Sequence, residues 1–264
     1  MPFPPAQRVL YRKNPLEQVV CQLRFPPILR IDAELPVDFQ DQVRNAFPNF
    51  AEASVFKLEV PLAIGEQVPQ EILRQVIQSS GIKNYEFSSA DGLWKVNLTR
   101  TFIALTTTKY ERWESFRDRL SLPLQALNEI YTPAYFTRIG LRYVDVIRRS
   151  KVDLPDVPWR NLLSPPLIGM LGSPDMADSV ERLEAVHEIR LAEQGGTARI
   201  IAKLVKTVSA PEDFFVIDSD FFDTSRAEID VAINKLNFFN SRSTRLIRWA
   251  ITDRLHQALE PQPL

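Results

Sequence analysis

The stretch Thr137-Arg138-Ile139-Gly140-Leu141-Arg142-Tyr143-Val144-Asp145-Val146-Ile147 decides how this chain folds. Its β-branched and aromatic content predicts a strand over 135–148. Yet it sets two arginines and an aspartate inside a mostly apolar segment. A buried strand face normally excludes charge, so this strand either edges a solvent-facing sheet or feeds a polar site.

Upstream, Val19, Cys21, Leu23 and Phe25 alternate with Gln18, Val20, Gln22 and Arg24, which predicts a half-buried strand ended by Pro26-Pro27. Pro2 to Gln7 reads as a flexible arm. Phe39, Val43 and Phe47 predict a short helix stopping before Pro48. Phe56, Leu58, Val60 and Leu62 suggest a strand, and Ile72, Leu73, Val76 and Ile77 a helix closed by Gly81. A meander is expected over Tyr85–Ser88, Trp94–Leu98 and Phe102–Thr107, with a turn at Asp91-Gly92. Trp113, Phe116, Leu120, Leu124, Leu127 and Tyr131 then mark one side of a helix that Pro123 should kink.

Downstream, the proline-rich tract 151–178 is a candidate boundary or long surface connection. Three further antiparallel strands are expected at 181–192, 198–207 and 213–218, followed by a helical region over 225–259. Ser225 and Glu228 have capping-box spacing, and Asn237 to Ser243 is poor enough in helix formers to break that helix in two. Three strands and a long helix therefore occur twice. The expectation is an α+β protein of antiparallel sheets backed by long helices, a duplicated three-strand-plus-helix unit. Its segments are an N-terminal half, 1–150, the connection 151–178, and a C-terminal half, 179–264.

Composition narrows the functions. The chain has 264 residues, 45% hydrophobic and 25% charged, with a net charge of −1. No global positive field favours nucleic acid. Cys21 is the sole cysteine, so neither an intrachain disulfide nor a cysteine-based zinc site can form. No apolar run approaches a membrane span, and the start lacks a signal-peptide pattern, so a soluble protein of the reducing cytoplasm is expected. Eight glycines against twenty prolines leave Gly195-Gly196 as the one close glycine pair, suited to a hairpin turn. No glycine-rich phosphate loop is present, and no cofactor is expected.

Tyr11-x-x-Asn14-Pro15-Leu16-x-x-Val19-Val20-x-Gln22-Leu23-Arg24-Phe25, Arg138-Ile139-Gly140-Leu141-Arg142-Tyr143 and Ile251-Thr252 resemble, in order, a sporadically distributed family of uncharacterised bacterial proteins of similar length. The resemblance implies no activity. The patchy distribution suits mobile or defence-associated genes. Members often carry a histidine in the last helical region, and this chain has none near Phe238-Phe239-Asn240.

Four constellations could carry chemistry. Gln22 and Arg24 mark one polar strand face, and Arg138 and Arg142, four apart, leave a common face of another. Two guanidiniums there could grip a carboxylate or phosphate, or simply form cross-strand ion pairs on a solvated face. His187, in phase with Leu183, Ala185, Ile189 and Leu191, is a general base or ligand, or a hydrogen-bonded core histidine. His256 is expected at the surface. Asp218-x-Asp220-x-x-Asp223 offers Mg²⁺ ligands, or the turn and cap residues that end a strand. Arg242, Arg245 and Arg248, beside Trp249, could bind phosphates or an acidic protein, or make a solvated helix face.

Few histidines, one cysteine and no nucleophile motif favour binding over catalysis. The expected partner is a protein or an anionic ligand at the arginine-bearing sheet face, with oligomer formation open to the C-terminal helix. The rival expectation is a Mg²⁺-dependent phosphodiesterase or nuclease using Asp218 and Asp220.

Overall fold

The computed structural model describes residues 2–53, 83–206 and 212–264. The strand expected at Phe56–Leu62 and the helix expected at Ile72–Ile77 lie outside the described residues. In chain order the elements begin with β1 (Val9–Tyr11), β2 (Leu16–Arg24), α1 (Arg30–Ala33), α2 (Val37–Val43), β3 (Asn49–Ala53), β4 (Asn84–Ser88), β5 (Trp94–Thr99) and β6 (Phe102–Thr107). There follow α3 (Trp113–Tyr131), β7 (Arg138–Arg148), α4 (Pro165–Ile168), β8 (Leu183–Arg190), β9 (Thr197–Val205), β10 (Phe214–Asp223), α5 (Ala232–Ala250), α6 (Asp253–Ala258) and β11 (Pro261–Pro263). The class is α+β with antiparallel sheets.

The chain divides into two compact units. The first comprises Met1–Glu17, Leu141–Phe222 and Lys235–Leu264, and the second Gln18–Gly140 and Asp223–Asn234. The tract 151–178, expected as a connection between halves, lies inside the first unit. Its prolines alternate with apolar side chains, and Trp159, Leu162, Leu163, Leu167 and Ile168 are buried. The Trp159 ring sits 5.6 Å from that of Phe215. Burying those side chains outweighs the tract's turn-rich composition.

In the second unit the strands run β3-β4-β5-β6-β2. Period-two alternation buries Tyr85, Phe87, Val96, Leu98, Ile103 and Leu105. Helices α2 and α3 cover that side: Phe39 lies 5.2 Å from Phe87 and 6.4 Å from Tyr131, and Phe116 lies 5.7 Å from Trp94. Helix α3 runs as one element through Pro123.

In the first unit the order is β7-β10-β9-β8. The turn from β8 to β9 is made by Gly195 and Gly196, both at positive φ. A Cβ on Gly196 would lie 2.8 Å from the Phe222 carbonyl oxygen, so glycine is required there twice over. Helix α5 backs this sheet, with Phe239 fully buried 6.5 Å from Phe221. A three-strand meander followed by a 19-residue helix thus occurs twice along the chain, as β4-β5-β6-α3 and as β8-β9-β10-α5.

Three local expectations change. The break foreseen at Asn237–Ser243 does not occur: α5 is continuous there, with Phe238 and Phe239 buried and Asn240 accepting from Tyr143 Oη at 2.9 Å. Tertiary packing overrides weak propensity. The break falls at Ile251-Thr252, where Thr252 N donates to Leu162 O and Ser164 N to Ala250 O, at 2.9 and 2.8 Å. Ser225 caps no helix; it bonds Asp223 Oδ1, and the side-chain cap belongs to Thr252, which accepts from Leu255 N. The Pro2–Gln7 arm is anchored, since Phe3 is buried and lies 5.8 Å from the Trp249 ring.

Candidate functional site

The arginine pair of β7 comes first. Arg142 donates from Nε and Nη2 to Asp218 Oδ1 and Oδ2 at 2.7 and 2.5 Å, a two-pronged pair only 13% and 15% exposed. Burial works against the guanidinium's charge, but Asp218 outweighs it and raises the Arg142 pKa. The pair exists because β10 runs on to Asp223. Phe221 and Phe222 stay in register with Ala198 and Thr197, which holds Asp218 and Asp220 within the strand instead of in the turn beyond it. Asp220 faces Arg199 across the ladder.

Arg138 behaves differently. Its Nη1 donates to Gln22 Oε1 at 3.4 Å, and the same oxygen accepts from Arg24 Nε at 2.9 Å. The guanidinium lies over Gly140, where a Cβ would come within 2.0 Å of Nη1. Gly140 is therefore the gap that lets Arg138 fold along the strand. Gln22, Arg24 and Arg138 form one polar cluster, whereas Arg142 is committed to Asp218.

On the opposite face of β7 stands Asp145, 7% exposed. Burial, with the charge of Asp218 second, pushes its carboxyl up to about 7. The sequence showed this aspartate among apolar residues, but alternation alone could not show that it points inward. His187 lies half-buried on β8, and its Nε2 has no hydrogen-bond partner among the described residues.

The three arginines of α5 separate. Steps of three residues lag the helical repeat by about 60° each, so the stripe winds round the helix. Arg242 falls on the buried side, 6% exposed, over the Phe238 ring and bonded to Glu193. Arg245 and Arg248 reach a groove of about 410 Å³ with Trp249 and His256. Its other wall is the N-terminal arm, from Pro4 and Pro5 to Val9. Arg248 also donates to the Ile251 carbonyl at 3.3 Å and bonds Asp253.

His256 is half-buried instead of superficial. Its Nδ1 lies 2.8 Å from Tyr11 Oη, with the rings edge to face 5.6 Å apart. Burial, and then the charge of Arg248, lower the imidazole pKa, while burial pushes the Tyr11 hydroxyl up to about 12. At neutral pH the histidine is uncharged and the phenol keeps its proton, so either Tyr11 donates to a bare Nδ1, with the imidazole proton on Nε2, or Nδ1–H donates to the phenol oxygen. The groove thus combines two guanidiniums, an imidazole and an indole. That set suits an anionic group attached to a flat or apolar body. Tyr11 and His256 are 245 residues apart, and no sequence spacing links them.

Among the described residues, no group of three or more His, Cys, Asp or Glu side chains could hold a metal ion, and no helix is long and apolar enough to cross a membrane. No protein-family model matches the chain, and no curated protein matches it either.

Proposed function

We propose that this protein binds, and does not transform, a partner or ligand carrying a carboxylate or phosphate, and that it does so in the groove lined by Arg245, Arg248, Trp249 and His256. The convergence of those four side chains against the proline-bearing arm carries the reading. It moves the anion from the sheet face to the helix groove, because Arg142 is held at both prongs by the sheltered Asp218, whereas the carboxylate that Arg248 meets, on Asp253, is 87% exposed. The arginines supply charge, the imidazole supplies a hydrogen-bonding ring, and the indole supplies a flat contact surface.

Metal-dependent phosphodiester chemistry at Asp218 and Asp220 would have to begin by breaking the Arg142 pair, and no observation favours it. Residence in a reducing cytoplasm accords with the single, buried Cys21, whose thiol burial pushes up to about 12. A place in a mobile or defence-associated system rests on the family resemblance alone.

Thermal unfolding tests the reading. Inorganic phosphate at tens of millimolar should raise the melting temperature at fixed ionic strength, since a ligand that binds only the folded state stabilises it by mass action. Arg245→Ala should remove that rise. An identical rise in the variant would reject the groove as the site.

A further inference from the structure

Strand β8 is the outermost strand of the first unit's sheet, and among the described residues nothing pairs with its free edge. It is eight residues long, Leu183–Arg190, and contains no proline, glycine or lysine. Natural sheets protect an open edge with such residues or with bulges, because a row of unpaired N–H and C=O groups invites another strand. Proline, lysine and a bulge are absent here, and the charges that β8 does carry, Glu184, Glu188 and Arg190, stand on its exposed face.

The two faces of β8 point the same way. Leu183, Ala185, His187 and Ile189 stand opposite Leu204, Ala202, Ile200 and Ala198 of β9. Those β9 residues are buried, whereas their β8 partners are all only half-buried. The core side of the sheet is therefore incompletely covered along this edge. On the other face Glu184, Val186, Glu188 and Arg190 are exposed, Val186 to 50%.

We propose that β8 is a self-association edge, where a second copy of this chain adds its own β8 antiparallel across a two-fold axis. A two-fold perpendicular to the sheet keeps inward residues opposite inward residues, so one residue must face its own copy across the axis. The two registers with the longest overlap centre on Val186 and on His187. Centring on Val186 sets Glu184 against Glu188 of the other copy, in both directions, which repels. Centring on His187 sets Glu184 against Arg190 of the other copy, in both directions, and Ala185 against Ile189.

Like charges directly opposite destabilise a ladder and opposite charges stabilise it, so the strand's charge order selects the second register. Within its own chain Glu184 meets Arg182 at 3.1 Å, with the arginine side chain 62% exposed. Glu188 lies 4.0 Å from Arg199 of its own chain. The occupant is thus a second copy of this chain, and its recognition groups are Glu184 and Arg190.

Sedimentation of the full chain over a wide range of concentrations tests this. The wild type should show a reversible monomer–dimer equilibrium. Arg190→Glu should weaken the dimer roughly tenfold, because symmetry converts two attractive contacts into two repulsive ones. Combining Glu184→Arg with Arg190→Glu should restore it. If Arg190→Glu fails to fold, Glu184→Arg is read in its place. A wild type that stays monomeric, a dimer indifferent to the single exchange, or a double exchange that restores nothing would overturn the proposal.

Discussion

Both oxygens of Asp218 are held by one guanidinium, that of Arg142, on neighbouring strands of the first unit's sheet. This single relationship redirects the functional reading. It removes the most conspicuous arginine of the sequence from the set available to a ligand, and it takes the leading carboxylate away from any cation.

A pair this sheltered is expected to matter when halved. Arg142→Ala leaves Asp218 without its partner and should cost about 2–3 kcal/mol in urea unfolding at pH 7. Replacing both, Arg142→Met with Asp218→Leu, should recover most of that loss. A single replacement that changes stability by less than the scatter of the measurement would show the pair to be solvated and idle.

Asp145 gives the fold a pH dependence of definite sign. Its carboxyl titrates near 7 in the folded chain against an ordinary 3.8, so the fold holds the proton more tightly than the unfolded chain does. Its favourable contribution is complete below about 4, declines as the pH rises through 7, and is lost above that. Asp145→Asn should flatten the profile between pH 4 and 8. The gain over wild type at pH 8 should be at most on the order of 4 kcal/mol. A profile of the same slope in the variant would show that another group is responsible.

The Tyr11–His256 hydrogen bond is legible by NMR titration. A Tyr11 proton given to Nδ1 favours the neutral ring, whose pKa already lies below its usual value. Tyr11→Phe should raise the His256 pKa and cost about 1 kcal/mol of stability. An unchanged midpoint would mean that the hydroxyl does not donate to that nitrogen.

Local periodicity was enough to read the meander of β4, β5 and β6, the helix over Trp113–Tyr131, and the repetition of three strands and a helix. What escaped it depends on contacts remote in sequence. Asp218 and Asp220 look like turn residues until Phe221 and Phe222 are seen pairing with β9. Asn237–Ser243 looks like a break until Phe239 is buried and Asn240 meets Tyr143. The arm at Pro2–Gln7 looks free until Phe3 meets Trp249. Of the four side chains that line the groove, Arg245, Arg248 and Trp249 were visible as a helix stripe, but the wall and the histidine come from the two ends of the chain.

The most direct test follows the ring resonances of His256 while inorganic phosphate is titrated at constant pH and ionic strength, with His187, the other histidine, as internal reference. His256 should shift saturably, with a dissociation constant of roughly millimolar order, while His187 stays still, and Arg245→Ala should abolish the response. A His256 signal that does not move, or that moves equally in the variant, would contradict anion binding in the groove.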